Sequence, residues 1–78
     1  MALLSGKGNT KSDANSYVET STNTIGDPAS VSNLPTNVYG CLLVFNCGAY
    51  ITQIYIDGNN KFHIRSNFGA GWTGWSEK

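Results

Sequence analysis

The sequence predicts a mainly β fold: a small antiparallel β-meander of about four strands, with a short helix or turn in the connector over residues 26–37. Three observations carry this expectation. Residues 50–57 and 61–67 each alternate apolar and polar side chains with the period of two that a strand requires. Between them lies only Gly58-Asn59-Asn60 ahead of Lys61, turn chemistry that suits a hairpin. Upstream, residues 38–46 form a nearly unbroken apolar run that stops at Asn46-Cys47-Gly48.

The elements follow in chain order. Residues 1–14 are polar and without period, and read as a flexible leader or the end of a preceding segment, so that the β domain proper covers 15–78. Residues 16–24 are rich in β-branched side chains and read as the first strand. Gly26-Asp27-Pro28 breaks the chain, and Leu34-Pro35 marks an extended connector, because proline biases the residue before it away from helix. The run 38–46 contains Val38, Tyr39, Val44 and Phe45 among its apolar residues and reads as a strand buried on both faces.

Register follows from the pattern. If Asp57 faces Lys61, then Ile56 faces Phe62, Ile54 faces Ile64, Tyr55 faces His63 and Gln53 faces Arg65. A slip of one residue would mix both faces. Asn60 closes the loop, and asparagine tolerates the left-handed conformation needed there. A four-residue turn at 46–49 would set Phe45 opposite Tyr50 and Leu43 opposite Thr52. Tyr39, Cys41, Leu43 and Phe45 then share a face with Ile54, Ile56, Phe62 and Ile64, and this apolar face is the expected core. Trp72 and Trp75 stand three apart and cannot point to one side of a regular strand, so one is expected to plug the core, with Trp75 favoured.

The composition narrows the function. Seventy-eight residues make one domain, small enough to need help from oligomerisation, metal or disulfides. The two cysteines supply none of it. Cys41 and Cys47 in one strand would stand roughly 20 Å apart, whereas a disulfide needs Cα atoms within about 7 Å. They are expected to be free, buried and inert. Net charge is zero and 13% of residues are charged, so no basic patch points to nucleic acid. No apolar segment reaches the roughly 18 residues of a membrane span, so no membrane insertion is expected. Residues 2–4 are too short for a signal-peptide core, which places synthesis in a cytoplasm.

No catalytic residues, metal site or cofactor are expected. Two cysteines and one histidine fall short of a zinc site. Ser5-Gly6-Lys7-Gly8-Asn9-Thr10-Lys11-Ser12 has the wrong glycine spacing for a phosphate loop and follows no strand. The chain has no nucleophile elbow, and its five acidic residues are scattered. A binding surface is the better candidate. With the core on the Ile54 face, the opposite face shows Gln53, Tyr55, His63 and Arg65, with Asn59, Asn60 and Trp72 near by. Rings that stack on sugars and amides that bond hydroxyls make this set the candidate glycan site.

Several motifs together resemble the pyocin knob family of phage tail fibres and R-type pyocin fibres. They are Asn33-Leu34-Pro35-Thr36-Asn37-Val38-Tyr39-Gly40, Leu42-Leu43-Val44-Phe45, Gly48-Ala49-Tyr50-Ile51-Thr52-Gln53-Ile54-Tyr55, Ile64-Arg65-Ser66 and Gly71-Trp72-Thr73-Gly74-Trp75. The entry into the first strand departs from the family, with Ala14-Asn15-Ser16-Tyr17 in place of Gly-x-Tyr. The resemblance implies a knob-like, non-catalytic domain of a bacteriophage, prophage or pyocin fibre. Such a domain works as a homotrimer on the virion or particle, and spaces or contacts a tip that meets bacterial cell-surface polysaccharide or lipopolysaccharide. The alternative from the residues alone is a free-standing carbohydrate-binding module of a bacterial protein.

Overall fold

The computed structural model describes residues 6–7 and 11–78; the remainder of the expected leader lies outside the described residues. One sheet holds six strands in chain order among them: β1 (Gly6–Lys7), β2 (Ser21–Ile25), β3 (Gly40–Asn46), β4 (Ile51–Asp57), β5 (Phe62–Asn67) and β6 (Ser76–Glu77). β1 runs parallel to β2, and all other neighbours are antiparallel. The predicted meander is therefore present as β2–β5, with two-residue strands at its edges.

The hairpin β4–β5 has the expected register, with Ile54 opposite Ile64, Tyr55 opposite His63 and Gln53 opposite Arg65. Its loop ends at Asn60 with φ 63°, and the Asn60 amide bonds the Asp57 carbonyl at 2.8 Å. The β3–β4 turn lies one residue later than expected. Phe45 pairs with Thr52 and Leu43 with Ile54, not with Tyr50 and Thr52. Asn46 stays in the strand because its amide donates to Thr20 Oγ1 at 2.9 Å, while its own Oδ1 accepts from Gly48 N at 2.8 Å. This shift preserves parity, so side chains keep the same faces.

The first strand is shorter and later than expected. Ala14–Ser16 is instead a 3-10 turn, capped by Asp13 Oδ1, which accepts from Asn15 N at 2.9 Å. Strand pairing starts only at Ser21. A local side-chain bond at Asp13 competes with extension there, which alternation alone does not reveal. The connector carries a second 3-10 turn, Pro28–Ser30. The two irregular segments bond to each other, with Ala14 N to Ser32 O at 2.9 Å and Ser32 N to Ser12 O at 2.8 Å.

The core is on the opposite face of the sheet from the one expected. Leu42, Val44 and Tyr55 are fully buried with Ile25, under Ala14, Tyr17 and Val31 from the irregular segments. Leu34, Ile51 and Trp75 close its margin. Leu43, Phe45, Ile54, Ile56 and Ile64 are only half-buried, while Tyr39, Cys41 and Phe62 are exposed. Hydrophobicity alone favoured the wrong face, because the polar residues of the inner face bond to one another and to main-chain carbonyls. Gly40 permits this stacking. A Cβ there would strike the Ile56 carbonyl oxygen and the Asp57 Cα of β4.

Candidate functional site

The seven expected glycan-contacting residues separate into two groups. Gln53, Tyr55, His63 and Arg65 do share one face, as their register requires, but that face is the interior. Tyr55 and Gln53 are fully buried, and His63 and Arg65 are buried too. Asn59 and Asn60 are exposed in the β4–β5 loop, and Trp72 is half-buried.

The buried group is a polar network that fastens the irregular segments to the sheet. Gln53 Nε2 donates to the carbonyls of Ala14 at 2.8 Å and Tyr17 at 2.9 Å, and its Oε1 accepts from Arg65 Nε at 2.8 Å. Tyr55 donates its hydroxyl to the Val38 carbonyl at 2.6 Å. Burial, with smaller contributions from Asp57 and Cys41, pushes the Tyr55 hydroxyl up to about 12, so it remains a donor at neutral pH. His63 is not the exposed cross-strand partner expected; its Nε2 lies 2.8 Å from Asp57 Oδ2. That hydrogen bond holds the Asp57 carboxyl below the usual carboxylate range. Burial opposes the effect, and the amides of Lys61 and Asn59 reinforce it.

Arg65 is held between the network and the closing segment. Its guanidinium carbon lies 4.2 Å from the Trp72 ring centroid and 4.7 Å from that of Trp75. Burial pushes Arg65 down to about 10, partly offset by Asp13, so it is still a cation at neutral pH. Its Nη2 is buried without a hydrogen-bond partner among the described residues, and the ring faces supply the compensating attraction. Both tryptophans reach this cation because the segment is not a regular strand. Gly69 and Gly71 have φ of 102° and 111°. Trp75 also donates Nε1 to the Asn33 carbonyl at 2.9 Å.

The accessible aromatics are elsewhere. At one end of the sheet the Tyr39 ring lies over Gly58, beside the Asn59-Asn60 loop, and is 53% exposed. At the other end Tyr50 and Phe68 meet edge to face with centroids 5.0 Å apart, both more than half exposed. Tyr39 was expected in the core, and neither Tyr50 nor Phe68 was among the expected glycan-contacting residues. The signal for Tyr39 was Gly58, whose missing Cβ leaves room for a ring. Cys41 and Cys47 are free, as expected, but exposed where burial was expected. Cys41 projects from the outer face and Cys47 stands in the β3–β4 turn. Among the described residues no cluster of three His, Cys, Asp or Glu side chains could hold a metal ion.

Comparison with solved structures gives one strong likeness. The match is to a pyocin fibre. The structure of the P. aeruginosa R1 pyocin fibre, comprising C-terminal residues 323–701, superposes with a TM-score of 0.83 at 22% sequence identity. The superposition covers 94% of this chain and 21% of the fibre chain, so this chain spans about a fifth of that fibre segment. No protein-family model matches the chain, and no curated protein matches it either. The likeness establishes the fold: the mainly antiparallel knob-like sheet occurs as a module of a fibre chain.

Proposed function

We propose that the chain is a non-catalytic module of a phage, prophage or pyocin fibre. It works as a homotrimer on the particle surface and contacts or spaces the tip toward bacterial polysaccharide or lipopolysaccharide. The observation that carries this reading is the near-complete superposition on one module of a fibre chain. Two features support it. The buried network spends its polar groups on fastening the fold, which leaves no reactive group free for catalysis there. The exposed surface offers amides and aromatic rings with little charge, which suits recognition of hydroxyl-rich ligands.

Of the residues expected to contact glycan, Asn59, Asn60 and Trp72 remain candidates, joined by Tyr39 beside the same loop. Such a site binds weakly alone and gains strength from several copies on one particle. With zero net charge, its binding should change little with salt. The test is retention of the chain on envelope polysaccharide or lipopolysaccharide from candidate hosts. Binding that is lost in Asn59→Ala combined with Asn60→Gly, which keeps the left-handed turn, supports the reading. Binding that survives these changes and Tyr39→Ala removes this end of the sheet from consideration.

A further inference from the structure

The sheet distributes its charge in an unusual direction. On β2–β5 every Asp, His and Arg side chain, namely Asp57, His63 and Arg65, points to the covered inner face and is buried. The outer face has none. It presents Leu43, Phe45, Ile54, Ile56, Phe62 and Ile64, flanked by small hydroxyl side chains and Cys41. A sheet that is solvated on one face normally turns its polar residues to that side. Here, the half-exposed side carries the aliphatics, and among the described residues none of them belongs to the buried core cluster or packs against it.

We propose that this outer face is the contact between copies of the chain, with the same face of each of three copies turned toward their common axis. The inference rests on the fibre reading for the presence of further copies, and the face itself argues for which surface they use. An uncharged face meets its own image without placing like charges opposite each other, whereas a face chosen for a foreign partner gains from complementary charge. Burial there also strands few polar groups: Thr52 Oγ1 and Ser66 Oγ already pair with each other at 3.0 Å. The size is informative too. Four strands about 4.8 Å apart and about 20 Å long present on the order of 400 Å². A stable free-standing pair needs about 800 Å² per partner. The contact therefore joins free copies only at high concentration and works fully where a fibre holds its chains together.

The two native cysteines report on it directly. Cys41 lies on the outer face and Cys47 in the turn beyond it, and both are exposed in a single copy. The chain should be followed by sedimentation and by maleimide labelling of each cysteine, from low micromolar to millimolar concentration. The expected result is self-association accompanied by loss of Cys41 labelling, with Cys47 still reactive. Ile54→Lys should abolish the association while leaving the circular dichroism of the monomer unchanged. Phe62→Lys, at a position 47% exposed, does the same with less risk to folding. A chain that stays monomeric throughout overturns the proposal, as does association that survives both variants. Association with Cys41 still reactive overturns this face but leaves a multimeric fibre module standing; failure to bind glycan is a separate outcome.

Discussion

Gln53 shows how one side chain ties the fold together. Its amide serves two backbone carbonyls of the irregular segment and the Arg65 guanidinium at once. Gln53→Leu keeps a similar volume but strands all three partners in the interior. Unsatisfied buried groups cost roughly 1–3 kcal/mol each, so a loss of about 3 kcal/mol in urea denaturation is expected after partial relaxation. Asn59→Ala, on the exposed loop, should stay within about 0.5 kcal/mol. Asp57 adds a pH dependence. Its carboxyl is held below its ordinary value of 3.8 by His63, against the opposing effect of burial. Its contribution is therefore complete above about pH 4 and is lost as pH falls through the lower folded-state value. The midpoint of urea unfolding should drop in that acidic window, and Asp57→Asn should flatten the drop while lowering stability at neutral pH.

At the scale of the elements, β4 and β5 were legible and the cover was not. Period-two alternation, together with an asparagine able to take φ 63°, defined the hairpin and its register residue by residue. The β3–β4 turn moved by one because Asn46 bonds Thr20, a residue distant in sequence. The cover of the inner face left no pattern. Gln53 and Tyr55 are buried by bonding to main-chain carbonyls of Ala14, Tyr17 and Val38, and a carbonyl is present in every residue. Four of the seven candidate site residues were for that reason grouped correctly but assigned to the surface. Gly40 offers a test of how closely β3 and β4 approach. Gly40→Ala drives a Cβ into the β4 backbone, which cannot swing aside as a side chain would. A loss of about 3 kcal/mol is expected, the upper end of overpacking costs, measured by thermal or urea unfolding.

For the whole molecule, the orientation of the sheet links stability to function. The chain uses its polar side chains to bind its own irregular segments and leaves its aliphatic face half-exposed in a single copy. In the proposed fibre, neighbouring copies would cover that face. The arrangement is poorly suited to a free monomer, which would display that face to water. The same arrangement leaves the loops at the two ends of the sheet as the accessible aromatic and amide surface. Adjacent leucines on β3 separate the two faces most directly. Leu42 is fully buried, while Leu43 is only half-buried on the outer face. Leu42→Ala and Leu43→Ala should be compared by urea denaturation at concentrations where the chain is monomeric. The inner core predicts a loss of about 2–5 kcal/mol for Leu42→Ala and a clearly smaller loss for Leu43→Ala; equal losses, or a larger one at Leu43, would contradict it.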